Sequence, residues 1–279
     1  MENLATSFDS TAEAPCAGAD DLPLMLPGRP KMRYNFPKAW HHFKNLIKDK
    51  ENTAEVFPIF ESLPWRGVYD AALAFLQTER GQAIRQSEPS LVTLLDDHAS
   101  LRKLPAGSVA HAYCDFMERE GLSAQGLVDE LDKYRPADQY FDDQVDWYFR
   151  RLRDTHDLMH VLSGFGRDAL GEQCVLAFTY GQQPALAHLF LGYAGALEIA
   201  KRMTVKVPVF RAVREAQRMG TACPRLVEMP IREVLAMPLD VAREQLGIGT
   251  PRYYREAHAK WRAGGIDPYD LLAPVKQAA

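Results

Sequence analysis

The chain has 279 residues, 33 of them basic and 37 acidic, which gives a formal net charge of −4. Without a basic excess the composition argues against a nucleic-acid partner, and an apolar content of 47% is enough for a large globular core. The four cysteines form no C-x-x-C pair, which argues against a cysteine zinc site or a disulfide framework. We therefore predict reduced, mostly buried thiols at Cys16, Cys114, Cys174 and Cys223.

The first thirty residues differ in composition from the rest of the chain. They carry acidic side chains among Ala, Ser, Thr, Pro and Gly, which is typical of a disordered segment. The segment lacks a signal peptide's basic start and apolar centre, and it is too acidic for a mitochondrial transit peptide. The sequence thus predicts a disordered tail over 1–30, a folded domain over 31–279, and a cytoplasmic location in a bacterium.

Apolar residues recur at three- and four-residue spacing along the remainder of the chain, and alternating strand patterns are nearly absent. Proline and glycine separate these periodic runs. The pattern predicts an all-α protein with a single helical domain. The predicted helices span 39–47, 68–76, 108–120, 144–162, 169–182, 185–202, 209–219 and 251–262.

The run from 153 to 172 contains the pattern H-D-x-x-H followed, eleven residues later, by glutamate. On a helix, at ~100° per residue, His160 lies about 40° from His156 and Asp157 about 100° from it. Two imidazoles and a carboxylate therefore share one helix face. We interpret them as metal ligands, although a solvated polar face is the simpler alternative for a histidine pair alone.

Glu172 can join this group only if the chain reverses, because sixteen helical residues would carry it roughly 24 Å from His156. Two glycines, Gly164 and Gly166, can end the first helix, and Asp168 can cap a second one. The sequence therefore predicts a helical hairpin that returns Glu172 to the two histidines, so that His156, Asp157, His160 and Glu172 form a four-ligand site.

The ligand types limit the metal and the reaction class. Imidazoles with carboxylates favour Zn²⁺, and Fe(II) is the alternative, whereas Mg²⁺ and Ca²⁺ prefer oxygen ligands. A zinc peptidase would carry Glu in place of Asp157. The partner residues of histidine-aspartate phosphohydrolases cannot be placed, and Gly164-x-Gly166 follows a helix rather than the strand that a dinucleotide site requires.

The run RLRDTHDLMHVLSGFGRDALGE resembles the signature of the ubiquinone (coenzyme Q) biosynthesis protein 4 family. Two further stretches agree with it, namely LPAGS (104–108) leading into YCDFM (113–117), and MPL (237–239) leading to REQLGI (243–248). The resemblance implies an all-helical protein that acts on the head group of a polyprenylated aromatic substrate. It also implies that His156, Asp157, His160 and Glu172 are the metal site.

The activity implied by this resemblance is decarboxylation at ring carbon C1 with hydroxylation of that carbon. The alternative is a non-catalytic scaffold that binds prenyl lipids and organises the ubiquinone biosynthetic complex. Either role implies other ubiquinone biosynthesis enzymes as partners, and a homodimer is left open. A substrate dissolved in the bilayer further implies peripheral contact with the inner face of the membrane.

The run 174–200 is strongly apolar, but Gln182, Gln183, Pro184 and His188 interrupt it before ~18 apolar residues accumulate. It therefore does not predict a transmembrane helix. One interpretation is a pair of core helices. The other is a groove for the prenyl tail, left open by small residues that include Gly192 and Gly195.

Two arginines near the motif are candidates for binding a substrate carboxylate. Arg153 lies one turn before His156, and Arg167 lies in the predicted hairpin loop. A guanidinium binds carboxylates through two parallel donors. For Arg153, an ion pair with Asp157 is the equally weighted alternative. We interpret His188, His41 and His42 as packing or surface residues rather than ligands.

Overall fold

The computed structural model describes residues 22–48, 53–133 and 141–271. Across these ranges the protein is all-α, as predicted, and the only β-type pairing is an isolated bridge between Ser108 and Pro238. The helices are α1 (Phe36–Lys48), α2 (Val56–Ser62), α3 (Val68–Leu76), α4 (Glu79–Ser87), α5 (Leu91–Asp96), α6 (His98–Leu101), α7 (Val109–Glu120), α8 (Ala124–Asp132), α9 (Gln144–Asp154), α10 (His156–Ser163), α11 (Ala169–Gln182), α12 (Leu186–Arg202), α13 (Val209–Ala222), α14 (Ile231–Ala236), α15 (Leu239–Gln245) and α16 (Arg252–Ala263).

The long periodic runs form helices where the sequence predicts them, and α3 and α11 have the predicted bounds. The run 144–162 differs, because it divides at Thr155 into α9 and α10. The Thr155 hydroxyl donates to the carbonyl of Arg151 at 3.1 Å, a side-chain bond that bends helices. The H-D-x-x-H motif thus lies at the start of α10.

The segment from 22 to 30 belongs to the folded domain, although the sequence places it in the tail. The amides of Gln144 and Val145 donate to the carbonyls of Pro23 and Leu24. Asp143 accepts a hydrogen bond from the Leu26 amide at 2.7 Å and forms a buried ion pair with Arg29. This segment thereby satisfies amides at the start of α9. Residues 1–21 lie outside the described residues.

The centre of the domain is α11, which packs between α12 and α13. The approach of α11 to α13 is so close that a Cβ on Gly220 would lie 2.0 Å from the carbonyl oxygen of Phe178. A Cβ on Gly181 would lie 2.3 Å from the Gly220 backbone. Only glycine permits this contact, which fixes α11, and with it Glu172, relative to the core.

Three of the four cysteines, Cys114, Cys174 and Cys223, are free and buried, as predicted. Burial raises the pKa of each thiol, which keeps the group neutral and unreactive. Cys16 lies outside the described residues.

The apolar run 174–200 forms the end of α11 and most of α12, with a turn between them at Pro184. No helix within the described ranges has both the length and the hydropathy that crossing a bilayer requires.

Candidate functional site

The predicted helical hairpin is confirmed, and its turns use the residues that the sequence indicates. Gly164 adopts a left-handed conformation with φ of 75° and ends α10, where its amide donates to the carbonyl of His160 at 2.9 Å. Asp168 caps α11 by accepting hydrogen bonds from the amides of Leu170 and Gly171. The reversal places the first turn of α11 against α10.

Three of the four predicted ligands converge at this reversal. One ligand atom from each of His156, His160 and Glu172 lies within 4.8 Å of the others. The distance from His160 Nε2 to Glu172 Oε2 is 3.7 Å, and the two imidazole rings lie 5.1 Å apart at 83°. Donors bound at ~2.0–2.2 Å to one ion stand roughly 3–3.5 Å apart. The side chains need to approach by only about 1 Å to hold an ion.

His160 is buried with one ring nitrogen oriented by the backbone and the other free. Its Nδ1 lies 3.1 Å from the carbonyl oxygen of Phe165, and because a carbonyl only accepts, Nδ1 carries the proton. Nε2 has no hydrogen-bond partner among the described residues. Burial, and then the nearby His156, lower the pKa of His160 to about 3, so the ring is neutral. A neutral imidazole with a buried free lone pair suits a metal ligand.

Asp157 does not join the three converging ligands. It follows His156 by one residue and so points about 100° around the helix, and its carboxylate is not among the ligand atoms that lie within 4.8 Å of one another. Burial, and then the Asp157 carboxylate, raise the pKa of the Tyr113 phenol. Burial raises the pKa of Asp157 itself, while His156 and Arg167 oppose the shift. The structure therefore places Asp157 beside the ligands rather than among them.

The two candidate arginines take different positions. Arg167 is partly exposed, and its Nε lies 3.6 Å from Glu172 Oε1. Arg153 donates to Asp154 at 2.6 Å, so its ion-pair partner is Asp154 and not the Asp157 of the alternative interpretation. Burial raises the pKa of Glu172, and His156 and Arg167 oppose that shift. Arg167 thus lies beside a carboxyl group that is less acidic than usual.

An apolar cavity of about 760 Å³ opens beside these ligands. His156, Glu172 and Arg153 lie on its wall, and most of the remaining wall is apolar, from α1, α2, α8, α11 and α12. The volume falls within the roughly 300–1,000 Å³ of small-molecule sites. An apolar pocket with a few polar groups at one place is the usual form of a ligand site.

The two candidate glycines of α12 differ. Gly195 lines the cavity, and the space beside it is taken by the Gln173 side chain, whose Oε1 would lie 2.2 Å from an added Cβ. Gly192 does not line the cavity, because it faces α11, where an added Cβ would lie 3.2 Å from the Gln173 carbonyl oxygen. The structure thus corrects the assignment of Gly192 to substrate binding, since its missing side chain allows two helices to pack.

His188 lies on the same cavity wall, although the sequence interpretation left it out of the site. It is buried, its ring packs edge-on against Phe60 at 4.7 Å, and its Nδ1 has no partner among the described residues. Burial lowers the pKa of His188 to about 3. The sequence does offer one signal for this position on the cavity wall, because His188 is a histidine within an otherwise apolar run.

A network from α16 supports the loop between α10 and α11. Asp168 accepts hydrogen bonds from the Tyr254 hydroxyl and from His258 Nε2, the latter at 3.0 Å. The Tyr254 oxygen accepts from the amide of Gly166 at 2.9 Å. The loop whose carbonyl orients His160 is therefore held by residues far along the chain, which no local sequence pattern could identify.

Comparison with known proteins gives one matching family. The profile of the coenzyme Q (ubiquinone) biosynthesis protein Coq4 matches residues 68–252. The mitochondrial ubiquinone biosynthesis protein coq4 of Pyrenophora tritici-repentis is 29% identical over 190 residues, covering 66% of this chain and 61% of that protein. The human mitochondrial COQ4 homolog is 27% identical over 172 residues, covering 61% and 62%. The chain thus spans under two thirds of these relatives' length.

A solved structure agrees in fold. The crystal structure of a candidate ubiquinone biosynthesis protein from Nostoc punctiforme superposes with a TM-score of 0.52 at 20% identity, covering 78% of this chain and 100% of that one. At this identity the likeness shows the fold alone.

The predicted cytoplasmic, bacterial location is wrong. The matching relatives from fungi and mammals are named as mitochondrial proteins. The physical reason for the error is that the acidic composition of residues 1–30 describes how that segment interacts with water. It does not report the compartment in which the folded domain works.

Proposed function

This chain belongs to the coenzyme Q (ubiquinone) biosynthesis protein Coq4 family, and on that premise we propose that it acts in ubiquinone biosynthesis as a metal-dependent enzyme. The proposed reaction is the oxidative decarboxylation of a polyprenylated hydroxybenzoate head group. The observation that carries it is that His156 and Glu172, which converge with the buried His160, lie on the wall of the apolar cavity. The proposed metal site would thus adjoin a cavity suited to an apolar ligand.

The residues present fit a metal ion. Nε2 of His160 is buried without a hydrogen-bond partner in the described part of the chain, and a buried polar atom of this kind costs free energy unless something binds it. His156, His160 and Glu172 would hold the ion, which suits Zn²⁺ and, as the alternative, Fe(II). When bound, a divalent ion would polarise the head group or activate oxygen. Asp157 would act from beside the ligands, as a nearby acidic group.

The arginines would hold the substrate carboxylate. Arg153 on the cavity wall and Arg167 beside Glu172 can each donate two parallel hydrogen bonds to it. In the proposed reaction the bond between C1 and the carboxyl carbon breaks, a C1–oxygen bond forms, and CO₂ leaves. With dioxygen as the oxidant, a two-electron donor and two protons convert the second oxygen atom to water.

The prenyl tail would occupy the apolar cavity along α11 and α12. Each buried methylene contributes about 0.8 kcal/mol, so even part of a tail would bind firmly. Gly195 lies on this wall, where its missing side chain makes room for the side chain of Gln173. The proposed partners are this substrate, other ubiquinone biosynthesis enzymes and the membrane in which the substrate resides, and a homodimer is consistent with the same role.

A second function is favoured by the cavity itself. A scaffold that binds prenyl lipids without reacting them would need this apolar space but no converging ligands. The two proposals therefore differ in what they require of His160, whose Nε2 has no structural partner among the described residues.

The test replaces His160 by Ala in the full chain and measures bound metal and CO₂ release from a prenylated hydroxybenzoate. If the protein is an enzyme, the His160→Ala variant should bind no metal and lose nearly all turnover. It should remain folded, because α10 also buries Leu158, Met159 and Leu162. His98→Ala, at the surface and paired with Glu118, is the matched control. Normal ubiquinone production in cells by a folded, metal-free His160→Ala variant would reject catalysis and support the scaffold.

A further inference from the structure

The segment from residue 30 to the end of α1 concentrates positive charge. It contains Lys31, Arg33, Lys38, Lys44 and Lys48 and no carboxylate, in a chain whose net charge is −4. Two carboxylates pack against it from outside: Glu61 pairs with Lys38 at 3.0 Å, and Glu55 lies 2.6 Å from His42 Nδ1. The other four cations form no ion pair within the described ranges. A strongly positive surface therefore remains.

The same helix exposes large aromatic side chains. Phe36 and Trp40 are 57% and 54% exposed, more than any other large apolar residue of the described chain, of which Tyr269 is next at 50%. They are four residues apart and so lie on one face of α1. Exposed aromatics surrounded by lysine and arginine are the pattern of helices that lie in a membrane interface.

This surface is continuous with the wall of the apolar cavity. Phe43 lines the cavity, lies 5.7 Å from Trp40 on its exposed side, and packs edge-on against Phe190 at 4.8 Å. Met32, Leu46 and Ile47 line the cavity from the same segment. An apolar path thus runs from the exposed face of α1 into the cavity, with the cations around its outer end.

We propose that residues 30–48 dock the protein on an anionic phospholipid surface, with Phe36 and Trp40 inserted among the acyl chains and the cavity opening toward the bilayer. The purpose of the contact, entry of a prenyl tail, rests on the proposed function. A second copy of the chain is a poorer occupant, because a two-fold interface would bring two sets of the same cations together.

The test measures flotation of the full-length, metal-free chain with vesicles of phosphatidylcholine alone and with about 30 mol% phosphatidylserine. The chain should bind the anionic vesicles, and raising the salt should weaken binding. The Arg33→Gln/Lys44→Gln variant lacks two cations and should bind these vesicles about 25-fold more weakly. Each charge near an anionic surface contributes about fivefold in affinity. Phe36→Ser/Trp40→Ser should lower it at least about tenfold.

Two control variants carry the same kinds of change elsewhere. Phe210→Ser removes an exposed aromatic from α13, and Lys260→Gln/Arg262→Gln removes two cations from α16. Both should bind like the wild type, and circular dichroism should show every variant folded. Equal binding to neutral vesicles, or equal losses in the controls, would overturn the proposal. So would a Phe36→Ser/Trp40→Ser variant that changes the oligomeric state while vesicle binding is unaltered.

The vesicles contain neither metal nor prenylated substrate. Failure of docking therefore leaves the metal and turnover measurements on His160→Ala to decide the catalytic proposal. Conversely, a chain that docks but never releases CO₂ would retain the surface assigned here and lose only the enzymatic role.

Discussion

Two buried polar clusters lie at opposite ends of α11, and they differ in how completely their atoms are paired. At the C-terminal end, Gln182 donates to the carbonyls of Gly220 and Cys223 and accepts from the amide of Leu226. At the N-terminal end, His160 Nε2 lies 3.7 Å from Glu172 and has no hydrogen-bond partner within the ranges that the structure describes. The paired cluster joins helices together, whereas the unpaired one faces a cavity with atoms available to a ligand.

The comparison separates two reasons for burying a polar side chain. Pairing every donor and acceptor offsets the cost of burial and leaves nothing for a ligand. An unpaired atom keeps that cost in the folded protein until a ligand binds it. The C-terminal cluster should therefore govern stability, and the N-terminal cluster should govern binding.

The largest expected effect is on metal affinity. Replacing Glu172 by Gln should lower it at least about 100-fold, because a ligand is lost, whereas Asp157→Asn should cost about tenfold, as for a group beside the ligands. Titration calorimetry with Zn²⁺ would measure both. Equal losses would mean that Asp157 also binds the ion, and that the four-ligand prediction describes the loaded site.

The opposite cluster should respond in stability. Gln182→Leu would leave the Leu226 amide and two carbonyls buried without partners, at a cost of about 2–4 kcal/mol in the free energy of unfolding. Metal affinity should not change. Urea unfolding gives the stability, and Gln217→Leu, which loses one partly buried bond to Tyr193, is the control with a smaller effect. Loss of metal binding in folded Gln182→Leu would contradict the separation.

Between the two ends, Leu176 lines the cavity and should affect tail binding alone. Leu176→Trp would fill space there and weaken binding of a long-tailed hydroxybenzoate about tenfold, while a tail-less one binds as before. Fluorescence titration with both ligands would show it. Leu197→Trp, at an exposed position of α12, is the control. If both ligands weaken equally in a folded Leu176→Trp protein, the tail lies elsewhere.

The smallest expected effect concerns pH. Burial lowers the pKa of His188 from 6.5 to about 3, so the unfolded chain takes up a proton on this ring before the folded protein does. The contribution of His188 to the free energy of unfolding is therefore fully present above pH 6.5, and it is lost as the pH falls below that value. Between pH 6.5 and 5.5 the loss should be about 1 kcal/mol.

Chemical denaturation at several pH values would measure this dependence. The matched variant is His188→Gln, which should lose less stability over the same range, because glutamine takes up no proton. Asp157 and Glu172, whose pKa values are raised, act in the opposite direction in both proteins and cancel in the comparison. An unchanged pH dependence in His188→Gln would show that the ring takes up its proton as readily in the folded protein as in the unfolded chain.

The sequence predicted the long helices well and the short ones poorly. Helices such as α3 and α11 repeat an apolar pattern over several turns, so their local signal is strong. The short helices α5 and α6 have too few residues to show a period. They depend on serine and aspartate caps and on packing against the rest of the domain.

For the site, the histidine spacing and the two glycines of the loop were enough to predict that His156, His160 and Glu172 converge. The exclusion of Asp157 from that group was not predictable, because a shared helix face does not fix where a short side chain ends. Gly192 was misassigned for a related reason. A small residue signals close approach, but the sequence does not say whether a ligand or another helix approaches.

The sequence by itself determined the all-α class, the reversal at Gly164 and the pairing of His156 with His160, since all three follow from backbone preferences and from spacing within one helix. Only the tertiary structure decided which polar atoms remain free. Asp168 meets Tyr254 and His258 across 86 and 90 residues, and the cavity wall gathers α1, α2 and α12 around Glu172. Pairing and enclosure are properties of distant segments brought together, and no local pattern encodes them.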